Sequence, residues 1–277
     1  MWTLPKPTIE EAINDIDPLV DHCNSLDSRH KLLLNKLYRQ YERNKGYAKP
    51  DELIPLDGVK NIIKEQYKKT GKNGTLNYIR KELQGGADLC PMCSINEIAQ
   101  LDHFMDKGTY GQLACCRLNL IPTCGVCNHS KHDNNYSDFI HAYYDKFPDA
   151  DFLVTTVTVK KDKLGMKFWI DTSVFDDKNL AQRVELQFNK LKLNERLHKA
   201  GIKFLNDNIL DNDSWSTDSS LKDDLYKKER KYRDENGRND WHTSLLRGLR
   251  ANSDFNLEFV QTIRKKMRER KIKVRGA

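Results

Sequence analysis

The chain has 277 residues and a formal net charge of +7, and its composition does not suggest disorder throughout. This length exceeds one ordinary domain, so we expect one elaborated domain or two to three packed subdomains with an apolar core. No stretch approaches about eighteen consecutive apolar residues, which excludes a membrane-spanning helix. The first ten residues have no apolar run behind a basic cluster, so we expect a soluble, cytoplasmic protein.

The positive charge is concentrated at the C-terminal end. Residues 221–277 hold 17 lysines and arginines against 9 acidic residues, a balance of +8, whereas residues 1–220 balance at −1. Within this segment, residues 264–275 contain eight basic side chains and Glu269 as their one acid. Such a run suits a polyanion or an acidic partner surface. A solvated helix surface or a disordered tail is an equally open interpretation.

The N-terminal region, residues 1–85, shows short helical patterns with clear start and stop signals. Thr8 and Glu11 have the spacing of a capping box, and Asp27 or Ser28 can cap a longer second helix that runs to a glycine at 46. Apolar residues at helical spacing predict the buried side of this second helix: Leu32, Leu33, Leu37 and Tyr41. Further helical patterns cover residues 59–69 and 75–83.

The C-terminal region combines a predicted hairpin with further helices. Residues 136–147 carry three aromatic residues spaced four apart, which predicts a helix packed in a core. Residues 152–160 alternate β-branched side chains, and with residues 166–170 across a turn at 162–165 they predict a β-hairpin. Helical patterns return after this hairpin, with a polar break at residues 211–220. A last helix near 254–270 is predicted to bury one stripe: Phe255, Phe259, Ile263 and Met267.

Two Cys-x-x-Cys pairs organise the middle of the chain. Without a secretion signal, cysteines in such pairs indicate reduced thiols and metal binding rather than disulfides. Four thiolates form the tetrahedral set that structural zinc prefers and leave no open position for substrate. A redox Cys-x-x-Cys or a chance pairing is the alternative, and Cys115 and Cys116 are interpreted as core residues rather than substitute ligands. The predicted zinc ligands are Cys90, Cys93, Cys124 and Cys127.

Between and after these pairs lie an acid, a histidine and two asparagines. Residues 100–105 and 118–121 are predicted strands, separated by a loop that contains two glycines. The second cysteine pair leads into a short helix, in which Asn128, Lys131 and His132 share a face. The predicted order is therefore strand, loop, strand and helix, with zinc joining the two ends.

These motifs together resemble the HNH nuclease superfamily in its four-cysteine, zinc-stabilised form. The matching residues are Cys-x-x-Cys, Leu101-Asp102-His103, the Asn119 of Asn-Leu-Ile-Pro, and Cys-x-x-Cys-Asn-x-x-Lys. The resemblance implies a ββα-metal fold and makes His103 the general base that activates water. It makes Asp102 and Asn128 metal ligands, Asn119 the brace of the loop, and Lys131 phosphate-binding. His132 is interpreted as a surface residue that could also approach phosphate from the face it shares with Asn128. The expected fold is mainly α-helical with a small ββα-metal core and an additional hairpin, an α+β arrangement.

The residue types themselves, apart from the resemblance, suit metal binding and proton transfer. The Asp102 carboxylate and the Asn128 amide are hard oxygen donors that suit Mg²⁺ or Mn²⁺ and leave coordination positions for water and substrate. A neutral imidazole at His103 can take a proton from water near neutral pH. Consecutive strand residues point to opposite faces, so the strand must end or bend at these residues, with Asn119 supporting the bend.

The expected organisation has three parts: residues 1–85 as a helical region, residues 86–147 as the nuclease core, and residues 148–277 as a hairpin with helices. The expected function is a metal-dependent endonuclease, with DNA as the first substrate and RNA as an alternative. The competing hypothesis is a non-catalytic zinc module that binds nucleic acid or protein through its basic helix. A weaker resemblance, carried by Phe-Ile-His-Ala-Tyr-Tyr-Asp and the helical flanks, is to HNH proteins paired with an ATPase in Septu-type anti-phage systems, which implies an ATPase partner.

Overall fold

The computed structural model describes residues 3–46, 58–131, 136–210 and 213–275. The protein is mostly helical and has two small antiparallel sheets of two strands each, an α+β architecture. The chain divides into an N-terminal unit, Trp2–Phe147, and a C-terminal unit, Pro148–Ala277. None of the described helices combines the length and the apolar character needed to cross a bilayer.

The N-terminal unit begins with short helices whose ends follow local sequence signals. The helices are α1 (Ile9–Asn14), α2 (Ile16–Asp21), α3 (Ser28–Arg43), α4 (Lys60–Gln66) and α5 (Asn77–Gln84). The capping box at α1 is confirmed, because the Thr8 hydroxyl accepts from the Glu11 N–H and the Glu11 carboxylate accepts from the Thr8 N–H. α5 ends before Gly85, whose φ of −70° is right-handed, so this glycine is not a left-handed cap.

The buried side of α3 is shifted from the predicted one. Asp27 caps the helix as expected, and Leu37 and Tyr41 are fully buried. Leu32, however, is 66 % exposed, and Leu34 is buried in its place. Three consecutive leucines allow two helical stripes, and the stripe that runs through Leu34, Leu37, Tyr38 and Tyr41 is the one that packs.

The segment between and after the cysteine pairs forms a two-stranded sheet followed by a helix. β1 (Gln100–His103) pairs antiparallel with β2 (Leu120–Thr123), and α6 (Gly125–Lys131) follows. Asp102 lies opposite Ile121, and β1 ends at His103. The strand therefore ends at Asp102 and His103, the two neighbouring residues whose side chains were expected to break the alternation between the two faces of the strand.

The prediction of a helix over residues 136–147 is wrong. A short 3₁₀ turn spans Tyr136–Asp138, and the chain then follows irregular turns. The His141 N–H donates to the Asp145 carboxylate (2.7 Å) and the Tyr143 N–H donates to His141 Nδ1 (3.3 Å). Such side-chain to backbone bonds compete with the helical pattern. The aromatic spacing still places two of its members in the core, Phe139 and Tyr143.

The C-terminal unit contains the second sheet and the longer helices. β3 (Leu153–Lys160) and β4 (Lys163–Ile170) form the predicted hairpin, but β4 begins earlier and the turn is Lys161-Asp162. Gly165 is inside the ladder opposite Thr158, so it is not a turn residue, and Lys161 supplies the positive φ of 55°. The helices are α7 (Lys178–Lys190), α8 (Leu193–Leu205), α9 (Asp218–Asn236), α10 (Trp241–Ala251) and α11 (Leu257–Arg275).

The last helix, α11, buries a stripe close to the predicted one but also buries one of its basic residues. Phe255, just before the helix, and Phe259 are buried, together with Val260. Arg264 is buried as well and donates to the Leu210 carbonyl (2.7 Å). This arginine is therefore an internal hydrogen-bond donor and does not belong to an exposed basic surface.

Candidate metal centre and adjoining cleft

The two Cys-x-x-Cys pairs bring four buried thiols together at one end of the small sheet. Their sulfur atoms all lie within 4.8 Å of one another, and the Cys93 and Cys124 sulfurs are 3.9 Å apart. Tetrahedral zinc with Zn–S bonds of about 2.3 Å requires sulfurs about 3.8 Å apart. The four sulfurs of Cys90, Cys93, Cys124 and Cys127 are thus close enough to hold a metal ion. The part of the chain that the structure describes contains no other such group of His, Cys, Asp or Glu.

Local backbone geometry prepares this cluster. The turn after Cys90 closes through a Ser94 N–H to Cys90 carbonyl bond of 2.8 Å, and the Cys127 N–H points at the Cys124 sulfur at 3.4 Å. Hydrogen bonds from the Cys127 thiol and its neighbours lower the pKa of Cys124, which favours a thiolate. Cys115 and Cys116 lie outside the cluster, and burial raises the pKa of both thiols, as expected of core cysteines.

A cleft of about 780 Å³ adjoins the small sheet. Four of the residues selected from the sequence line it: Asp102, His103, Asn128 and Lys131. Asn119 does not line the cleft but lies buried behind it. His132 lies outside the described residues. The three elements β1, the loop after it and α6 therefore direct their polar side chains to one cavity.

His103 is held in one orientation at the wall of the cleft. Its side chain is buried, and its Nε2 lies 3.0 Å from the Ala114 carbonyl oxygen, which can only accept. The Nε2 atom therefore carries the hydrogen, and Nδ1 is left as the lone-pair nitrogen. The Tyr67 ring packs edge-on against the imidazole with centroids 4.4 Å apart. Burial lowers the pKa of His103 to about 4, so the ring is neutral at neutral pH.

Asp102 and Lys131 form a buried ion pair. The Lys131 ammonium lies 2.5 Å from the Asp102 carboxylate, and it also donates to the carbonyls of His103 (2.8 Å) and Phe104 (3.1 Å). These bonds join the last residue of α6 to the end of β1. Lys131 was predicted to bind phosphate; in the structure its ammonium makes three internal hydrogen bonds, one of them to the carboxylate predicted to bind metal.

The two asparagines have different surroundings. The half-buried Asn128 donates through Nδ2 to the Gln100 side chain (2.6 Å), so its amide oxygen is the end that remains for a ligand. Asn119 is fully buried and accepts from the Met105 N–H (2.8 Å) while donating to the Met105 carbonyl (3.0 Å). These bonds hold the start of the loop after β1, the loop that the resemblance expects Asn119 to brace.

The structure adds functional candidates that sequence reasoning missed. Lys64, Arg80 and Lys107 line the cleft, the first two from α4 and α5. Behind Asn119, the Tyr41 hydroxyl donates to the Asn119 amide oxygen (3.0 Å) and lies 3.1 Å from Nε2 of the buried His141. The residues that make these contacts are far apart along the chain, so no short motif reveals them. Arg80 and Lys64, however, lie on the polar faces of predicted helices, and this placement could have identified them as candidates.

Comparison of the chain with models of known protein families, with curated proteins and with solved structures finds no match in any of the three.

Proposed function

We propose that the chain is a metal-dependent endonuclease of the HNH type that hydrolyses phosphodiester bonds, with DNA as its substrate. The observation that carries this proposal is the convergence of unlike groups on one cleft. A neutral imidazole, a carboxylate and an amide oxygen line it together, and cations border it: Lys64, Arg80 and Lys107. Water activation and binding of an anionic diester need this combination of groups.

His103 is the proposed general base. Because its Nε2–H is engaged by the Ala114 carbonyl, Nδ1 is the atom that accepts the proton from water. The lowered pKa of about 4 keeps the ring unprotonated, and the negative charge of a bound phosphodiester would raise the pKa toward a better proton acceptor. Asn119 acts indirectly. Its side chain donates to the Leu113 carbonyl (3.3 Å), and this bond holds the loop whose next residue, Ala114, provides the carbonyl that orients His103.

The donor set of the cleft fits a hard divalent cation. Asp102 supplies a carboxylate and Asn128 an amide oxygen, and both belong to the ligand class of Mg²⁺ and Mn²⁺. When bound, such an ion supplies stabilisation of negative charge on the phosphoryl and leaving oxygens. The Lys131 ammonium donates to one carboxylate oxygen of Asp102. An ion must therefore bind the other oxygen, or the ammonium must move away.

For the cysteine cluster we propose a structural zinc ion. Four sulfur donors match the closed tetrahedral shell of structural zinc, and all four cysteines are buried. Hard cations such as Mg²⁺ avoid thiolates. This ion would join the segment before β1 to the start of α6 and would leave the chemistry to the cleft.

The test of the nuclease proposal is plasmid and oligonucleotide cleavage in Mg²⁺ or Mn²⁺ by wild type, His103→Ala and His129→Ala. His129 is an exposed histidine of α6 and serves as the matched control. We expect His103→Ala to abolish cleavage while zinc content is unchanged and a cooperative thermal melt is retained, and His129→Ala to cleave like wild type. Undiminished cleavage by His103→Ala would contradict the assignment. Parallel DNA and RNA substrates distinguish the two nucleic acids.

The second candidate is a non-catalytic zinc module, and the buried Asp102–Lys131 pair favours it. A carboxylate already neutralised inside the protein needs no metal, and the pair explains Asp102 as a structural residue. This candidate predicts binding of nucleic acid or protein without cleavage under any Mg²⁺ or Mn²⁺ condition. Association with an ATPase stays a prediction from resemblance, to be tested by mixing the two proteins.

A further inference from the structure

The β3–β4 hairpin of the C-terminal unit has one covered face and one open face. Most of its inward side chains are buried, and α10 approaches so closely that a Cβ added at Gly248 would lie 2.5 Å from the Thr155 carbonyl oxygen. The opposite side carries exposed residues, which we call the hairpin face: Thr156, Lys160, Lys163, Lys167 and Trp169. An antiparallel sheet often has one solvated face, so the composition of this face must decide whether it has a function.

The charge of the hairpin face is of one sign. Neither strand contains an acidic residue, and Asp162 at the turn is paired with Lys266 of α11. Lys160 and Lys163 lie directly opposite each other across the strands. Like charges in opposite positions destabilise a sheet, so a bound anion would relieve a repulsion that the free protein carries. The same charges disfavour pairing of this face with a second copy of itself.

Trp169 supplies an aromatic surface among these lysines. It is 37 % exposed, although tryptophan is usually more fully buried. Its Nε1–H donates to the Thr156 hydroxyl on the neighbouring strand (3.0 Å), which holds the indole across the hairpin. The ring is thus pre-oriented, so stacking a flat ligand on it costs little side-chain entropy.

We propose that the hairpin face binds single-stranded nucleic acid, with a base stacked on Trp169 and phosphates contacted by Lys163 and Lys167. Unpaired bases are required, because a stacking platform needs an accessible base face, whereas lysines alone would bind any polyanion. The threonine and lysine side chains of the hairpin face supply donors for phosphate oxygens. This surface goes beyond the proposed nuclease cleft and does not depend on any cleavage.

The test measures binding of a fluorescein-labelled oligodeoxythymidine to the full chain by anisotropy, without added Mg²⁺ or Mn²⁺. Trp169→Ala should weaken binding by about tenfold or more, the loss expected for one base–aromatic stack, while Trp169→Phe retains most of the affinity. The double variant Lys163→Gln/Lys167→Gln should reduce the slope of log affinity against log salt by about 1.4, or about 0.7 for each phosphate contact.

Matched controls are available in the same unit: Tyr226, an exposed aromatic residue of α9, and Lys199, an exposed lysine of α8. Tyr226→Ala and Lys199→Gln should bind like wild type. Wild-type affinity and salt slope in both hairpin variants would overturn the proposal and leave an acidic protein surface as the partner to seek. If a thermal melt shows that Trp169→Ala is unfolded, the double variant Lys163→Gln/Lys167→Gln, which replaces exposed lysines, decides the test. Because cleavage is not measured, failure of the nuclease proposal would not alter the result.

Discussion

The cysteine cluster and the cleft lie in the same N-terminal unit, but their side chains are positioned in different ways. In the cluster, one turn and one helix start present four identical ligands, and each pair is three residues apart. In the cleft, unlike side chains arrive from β1, α4, α5 and α6 and are fixed by internal bonds such as Asp102–Lys131. The four sulfurs of the cluster could hold a metal ion between them, whereas hydrogen bonds and an ion pair within the protein organise the cleft.

The largest effect is expected from breaking the cluster. Cys124→Ser removes one of four thiolates, and structural zinc contributes about 10–16 kcal/mol of apparent binding free energy to folded small domains. We expect loss of bound zinc together with loss of the cooperative thermal transition of the N-terminal unit. A colorimetric zinc assay and a melt measure both. Cys23→Ser is the control, because Cys23 is outside the cluster. A zinc-loaded, cooperatively melting Cys124→Ser would remove this residue from the ligand set.

Breaking the ion pair of the cleft should cost less. Lys131→Met leaves the Asp102 carboxylate buried without its ammonium, which destabilises proteins by about 3–5 kcal/mol. The free energy of unfolding in urea, without divalent ions, should fall by this order, and adding Asp102→Asn should restore part of it. Lys107→Met, at an exposed lysine, is the control. If Lys131→Met were as stable as wild type but bound DNA more weakly, its predicted role in phosphate binding would be supported instead.

The buried His103 makes stability of the cleft depend on pH. Its folded-state pKa of about 4 lies below the ordinary value of 6.5, so between these values the unfolded chain binds a proton that the folded chain does not. The free energy of unfolding is therefore highest above pH 6.5, with respect to this group. It falls by an amount on the order of 3 kcal/mol as the pH decreases to about 4. Urea titrations should show this slope in wild type and His129→Gln but not in His103→Gln. Parallel slopes in all three proteins would mean that His103 is protonated in the folded state.

The same contrast explains what the sequence could predict. The cysteine cluster follows from spacing alone, because each pair needs only one turn of chain to aim two sulfurs at one point. The strand–loop–strand–helix order also follows from local patterns, and Asp102 and His103 are adjacent wherever the chain goes. The helix predicted over residues 136–147 failed because local side-chain bonds, the Asp145 carboxylate among them, took its backbone donors.

Tertiary contacts could not be predicted in this way. Lys131 was interpreted from its place on a helix face, but its ammonium bonds to the carboxylate of Asp102 and to two carbonyls at the end of β1, which lie 27 to 29 residues away along the chain. Lys64 and Arg80 reach the cleft because α4 packs against the loop after β1 and α5 packs against β2. The Tyr67 hydroxyl, just after α4, also donates to the Leu101 carbonyl of β1 (3.1 Å). Such contacts depend on the path of the chain, which no short motif encodes.

The smallest effect is expected from the cations at the rim of the cleft. Lys64→Gln and Lys107→Gln each remove one charge that faces the cavity, and neither side chain is buried. Each should reduce the slope of log affinity for duplex DNA against log salt by about 0.9, the value for one phosphate contact, with little change in stability. Lys72→Gln, at an exposed lysine that does not line the cavity, should leave the slope unchanged. Equal slopes in all variants would mean that DNA binds elsewhere, and the organised cleft would then be a structural feature beside the cysteine cluster.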